Sequence, residues 1–226
     1  MSRPQISRLN TWERFEKHVL EVFIEALLIL LNKVDLPNSE NELNRELYFC
    51  LLEANHKLYR SGTGGFDYPP SYEAQNPPDP EDKFVARREK KRPDFYWGYL
   101  DHSETDPRKS SRNFVFECKR LGKPVRSDWI LNENYVRHGI FRFISEDYGY
   151  SKNEKSGAMI GYVQNMNFDE ILAKVNKTAK KESILEIETP IAGWKEKDVS
   201  MLEQKLKRAF PIKSFNLKHL WVDLRR

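Results

Sequence analysis

Cysteine is scarce: Cys50 and Cys118 are the only two in 226 residues. That count excludes a disulfide framework and makes a reducing compartment the default. The five histidines, at 18, 56, 102, 138 and 219, stand at no ligand spacing from one another or from the cysteines, which argues against zinc. Long apolar runs are missing as well. The longest, VFIEALLILL from Val22 to Leu31, is too short to cross a bilayer and is interrupted by Glu25. The opening MSRPQISRLN lacks a secretory pattern, so a cytoplasmic, non-membrane protein is expected. A strong charge of one sign is absent too. The 38 bases and 34 acids leave +4, and so small an excess does not diagnose nucleic-acid binding without local clustering. SGTGG at 61–65 lacks the Gly-Lys-Ser/Thr ending of a phosphate-binding loop.

What remains is a globular composition, 39% hydrophobic and 32% charged. The length suits one elaborated domain over 1–226, with a core at about 39–165, an N-terminal helix at 11–33 and a C-terminal extension at 166–226. Trp12, Phe15, Val19, Val22, Phe23, Ala26 and Leu30 recur at helical spacing behind Asn10, a candidate N-cap. Ser39 and Glu42 form the S-x-x-E pattern of a capping box, and Leu43, Leu47, Leu51, Ala54 and Leu58 continue it as an apolar stripe that should end near Arg60, before Gly62. Residues 61–82 carry five prolines and read as irregular, with a short strand near 68–72. Strands are expected at 94–100 and 113–119, a helix at 127–145, a buried uncharged strand at 158–163 and a helix at 168–181. ILEIET reads as a strand, 199–208 as a helix and SFNLKHLWVDL as a last strand. Mixed elements in this order predict an α/β fold, a central sheet covered by helices.

The informative residues are three charges in the paired strands. Alternation sends Phe114, Phe116 and Cys118 to one face and Val115, Glu117 and Lys119 to the other. Asp94 stands at the start of the preceding strand, after Pro93, and strand pairing would bring it towards Glu117. Two adjacent carboxylates repel unless a cation lies between them or one binds a proton. Hard divalent cations such as Mg²⁺ take one or two carboxylates with water and substrate phosphate. An acid followed by E-x-K on the next strand therefore suits metal-assisted phosphodiester hydrolysis, with Lys119 orienting the nucleophile or stabilising the transition state. The plain alternative is a turn residue at Asp94 and a solvated ion pair at Glu117 and Lys119.

RPD at 92–94 and ECK at 117–119 resemble the motif of the PD-(D/E)xK nuclease superfamily. The resemblance covers roughly Ser39 to Val163. It implies a restriction-endonuclease-like core (αβββαβ, a central mixed sheet flanked by helices), here with an N-terminal helix and C-terminal α/β additions. It further implies that Asp94, Glu117 and the Cys118 main-chain carbonyl hold Mg²⁺, with Mn²⁺ able to substitute, and that Lys119 is the base-like catalytic residue. Many members add a glutamate from the first core helix. Glu46 is favoured here, because it adjoins Leu47 and lies one turn before Cys50; Glu42 is already explained by the capping box, and Glu53 ranks third. The implied function is a Mg²⁺-dependent DNA endonuclease, with restriction or anti-phage defence as the setting by analogy. RNA stays open as a substrate, and a homodimer or a defence-system partner is compatible. The competing reading is a nuclease-like module that binds nucleic acid or a partner without cutting.

Further contacts to nucleic acid are sought in two places. RREKKR at 87–92 puts five bases directly before Asp94, among them Arg88, Lys91 and Arg92, although a solvated loop explains them equally well. On the 127–145 helix, Tyr135, Gly139 and Arg142 share a face, and a glycine inside a helix suggests close approach by a neighbour. Gln164, at the end of the buried strand, reads as an ordinary strand-end polar residue.

Overall fold

In the computed structural model, which describes residues 6–83 and 85–225, two long helices lead the chain. Helix α1 spans Ile6–Leu31, so Asn10 lies inside it and is not its cap. Helix α2 spans Glu40–Ser61. Its start follows the expected chemistry: the Ser39 hydroxyl accepts a hydrogen bond from the Glu42 amide, satisfying a donor that the helix itself cannot. Its end is set by Gly62, which adopts the left-handed conformation (φ +69°) that glycine reaches without a Cβ penalty.

The sheet has six strands: β1 (Ser71–Tyr72), β2 (Phe95–Leu100), β3 (Ser111–Leu121), β4 (Ser156–Val163), β5 (Val199–Lys207) and β6 (Ser214–Asp223), in spatial order β1-β2-β3-β4-β6-β5. The β3–β4 and β4–β6 pairs are parallel and the others antiparallel. The fold is thus α/β, with a mixed sheet and helices on both faces. On one face α1 and α2 cover Phe95, Trp97, Phe114, Phe116 and Cys118. On the other, α3 (Leu131–Arg137) and α4 (Phe168–Lys181) cover Val115, Leu121, Met159 and Trp221. The central strand β4 is buried along its whole length, as its lack of charge required. No described helix is long and apolar enough to cross a membrane.

Three expected elements differ. The single helix at 127–145 is broken: α3 ends at Arg137, and one turn of tighter helix follows at Ile140–Phe143. Gly139 sits in the break, where an added Cβ would lie 2.4 Å from the Tyr135 carbonyl and from Met159 Cε. The segment expected as a helix at 199–208 is strand β5, ending at Lys207, with Leu202, Gln204 and Leu206 buried and Met201, Glu203, Lys205 and Lys207 exposed; Arg208, next after it, is buried as well. Its inward polar residues obscured the period of two. ILEIET forms no strand; the Asn176 side chain pairs with both the amide and the carbonyl of Ile187, taking the part that a neighbouring strand would play.

Candidate active site

The register of β2 against β3 pairs Phe95 with Phe116, so its continuation sets Asp94 opposite Glu117. Pro93 is buried and ends the ladder, since it has no amide to donate. The Asp94 main-chain carbonyl accepts from the Glu73 amide at 3.0 Å, and its Oδ2 accepts from the Cys118 amide at 2.6 Å. The side chain is thereby tied to the strand that carries the other two charges.

Glu117 is fully buried. Its Oε1 accepts from Lys119 Nζ at 2.8 Å and from the Arg142 guanidinium, while Oε2 is buried with no protein partner. Lys119 Nζ also donates to the Cys118 carbonyl and to Glu40 Oε1, both at 2.8 Å. Room for the lysine stem comes partly from Gly139, whose missing Cβ would stand 3.3 Å from Lys119 Cγ.

These contacts set the protonation states. Burial and the adjacent Glu117 charge hold the Asp94 carboxyl well above the ordinary carboxylate range. Burial works against the Lys119 charge, but Glu117, Asp94 and Glu40 outweigh it, so its pKa lies above that of a free lysine. Arg142 follows the same logic, with burial outweighed chiefly by Glu117. Burial, with Asp94 and Glu117 close by, also pushes the Cys118 thiol up, leaving it inert.

The helix acid at this cluster is Glu40, not Glu46 or Glu42. Glu40 opens α2, and its carboxylate spans Lys119 Nζ and the Arg120 amide, the latter at 3.3 Å. The Arg120 guanidinium and Gln164 Nε2 donate to the Asn38 carbonyl, docking the helix start on the ends of β3 and β4. Glu46 lies nearly two turns further along α2, paired with Lys33 at 2.7 Å and Arg45 at 3.2 Å. Glu42 pairs with the Ser39 hydroxyl, and Glu53 is exposed. The sequence signal for Glu40 was slight, since an acid in a helix's first turn is already explained by the helix dipole.

The proposed nucleic-acid contacts divide. Tyr135 is fully buried: its hydroxyl accepts from Trp221 Nε1 at 3.0 Å and lies 2.8 Å from His219 Nδ1, making it a core residue and withdrawing it from any substrate. Arg88 is engaged with Asp79 and Asp82. Arg92 is exposed. Lys91 rests 4.4 Å from the centre of the Tyr148 ring, and Arg142 lies 5.2 Å from the same ring. Tyr148 was not anticipated; only the folded chain brings 91, 142 and 148 together.

Among the described residues no cluster of three or more His, Cys, Asp or Glu side chains is placed to hold a metal ion. A Mg²⁺ site needs fewer, one or two carboxylates completed by carbonyl and water oxygens. Asp94, Glu117 and the Cys118 carbonyl supply all-oxygen donors of that kind, and the partnerless, buried Glu117 Oε2 is an acceptor suited to a cation. Comparison with models of known families, with curated proteins and with solved structures gives no match to this chain.

Proposed function

We propose that the protein is a metal-dependent nuclease with a restriction-endonuclease-like core, hydrolysing phosphodiester bonds in DNA. One observation carries the reading: Asp94 and Glu117 face each other across paired strands, with Lys119 Nζ 2.8 Å from both Glu117 and the Cys118 carbonyl. The order helix, three strands, helix, strand over α2 to β4 supports it.

Asp94, Glu117 and the Cys118 carbonyl would hold Mg²⁺ or Mn²⁺. The ion would supply neutralisation of phosphate charge and acidification of water. Lys119, kept as an ammonium by its carboxylates, donates hydrogen bonds and positive charge to the phosphate or the attacking water. Glu40 positions Lys119 by accepting a further hydrogen bond from its ammonium. Arg142 adds a second cation against Glu117.

The neutralisation of Glu117 by Lys119 and Arg142 in the same structure favours one competitor, a nuclease-like module that binds without cutting. Incubation of the protein with plasmid and with RNA, in Mg²⁺ or EDTA, separates the two. Cleavage of DNA in Mg²⁺ alone, lost in Glu117→Ala and Lys119→Ala, is expected. No cleavage of either substrate, with binding unchanged in Lys119→Ala, would sink the nuclease reading. Cleavage that persists in Glu117→Ala would mean the site lies elsewhere.

A further inference from the structure

Glu117 carries two cations on one oxygen, and they are not held alike. Lys119 is nearly buried and anchored three times, by Glu117, Glu40 and the Cys118 carbonyl. Were Glu117 to let go, Glu40 would still hold it. Arg142 forms its ion pair with Glu117 alone among the described residues, with the Tyr150 side chain as an uncharged hydrogen-bond partner; its side chain is 24% exposed, and its Nε is buried without a partner. A guanidinium has five donors in a planar fork that suits phosphate. Arg142 uses that fork incompletely, and it lies against the Tyr148 ring, which also carries Lys91.

We propose that Arg142 is the exchangeable counter-ion of Glu117. It neutralises the buried carboxylate in the metal-free protein, yields it to a divalent cation, and then turns its fork to a nucleic-acid phosphate beside Lys91. This rests on the nuclease reading above. The physical reason is mutual exclusion. A divalent cation on Glu117 repels the guanidinium and weakens its pull on the shared oxygen, while a phosphate offers the displaced fork a bidentate acceptor. Metal and nucleic acid therefore bind cooperatively, through one side chain.

Titration calorimetry with Mn²⁺ alone, on the full chain, tests the first half. Arg142→Gln removes the competing charge, and Mn²⁺ should bind about tenfold more tightly or better than in the wild type, since a charge-assisted hydrogen bond no longer has to be broken. Arg142→Lys keeps a cation in place and should fall between the two, with both variants checked for folding by circular dichroism. Fluorescence anisotropy with a short DNA duplex, with and without Ca²⁺ as a hard cation, tests the second half. Ca²⁺ should tighten duplex binding to the wild type by a larger factor than to Arg142→Gln, in which only the ion's own attraction for phosphate remains. Equal Mn²⁺ affinity in wild type and Arg142→Gln, or equal Ca²⁺ enhancement, overturns the exchange. If the wild type nevertheless cleaves DNA, the nuclease reading survives that result. Absence of Mn²⁺ binding in both proteins removes the exchange and the metal site together.

Discussion

Glu154 offers a test of the fold that does not depend on function. It lies in the segment that follows Tyr148 and Tyr150, is only 7% exposed, and burial raises its carboxyl from 4.5 to about 7. The groups facing it are Arg112 and Arg208, the Asn113 amide, and Asp101, whose charge raises it further. Because the folded pKa lies above the unfolded one, the native state binds the extra proton between pH 4.5 and 7. Stability from this group is therefore greatest at low pH, falls as pH rises through that window, and is level above it. A shift of about 2.5 units corresponds to a loss of about 3 kcal/mol across the window, at 1.36 kcal/mol per unit. Glu154→Gln carries the neutral form at every pH, so its stability relative to wild type should rise by up to about 3 kcal/mol from pH 4.5 to 7.5. Urea denaturation at four pH values, with the slope checked for constancy, measures this directly. Parallel curves for the two proteins would refute the reasoning, because they would mean that Glu154 keeps an ordinary pKa and is not desolvated.

Two further substitutions probe the cluster. Glu40→Gln removes a charged hydrogen bond from Lys119 and should cost about 1–3 kcal/mol in urea denaturation at pH 7 and, on the proposed nuclease reading, lower cleavage, whereas Glu46→Gln, which loses a partly exposed pair, should cost at most about 1 kcal/mol and leave cleavage unchanged. A cleavage defect in Glu46→Gln with none in Glu40→Gln would reverse the assignment. Gly139→Ala forces a Cβ against the Tyr135 carbonyl and should cost about 1–3 kcal/mol, read as a Tm lowered by roughly 2–4 °C per kcal/mol for a chain of this size; an unchanged Tm would show that the break after α3 gives way easily.

The local grammar of the chain was legible wherever a residue's neighbours in sequence decide its structure. The Ser39 cap, the Gly62 stop and the uncharged run of β4 each follow from chemistry confined to a few residues. So does the pairing of Glu117 and Lys119 on one strand face, since alternation along a strand needs no information from elsewhere. Local reading failed where distant partners substitute for neighbours. At Gln204 and Arg208 the inward side chains are polar because carbonyls from other segments satisfy them: Gln204 donates to Leu185, and Arg208 to Ser151 and Glu154. That long-range satisfaction made a strand look like a helix.

The same division runs through the site. Sequence alone determined that Asp94, Glu117 and Lys119 stand at the ends of two strands, because spacing and the proline before Asp94 are local facts. Which helix acid joins them was decided only by tertiary structure. Glu40, Glu42 and Glu46 share one helix, and the direction in which each points depends on how that helix docks on β3 through Asn38, Arg120 and Gln164. Tyr135 was drawn into the core that closed over it, and Lys91 was brought to the Tyr148 ring that Arg142 also contacts from a segment far from both in sequence. Burial and cross-element contact set these outcomes, and neither is a property of any short stretch of chain.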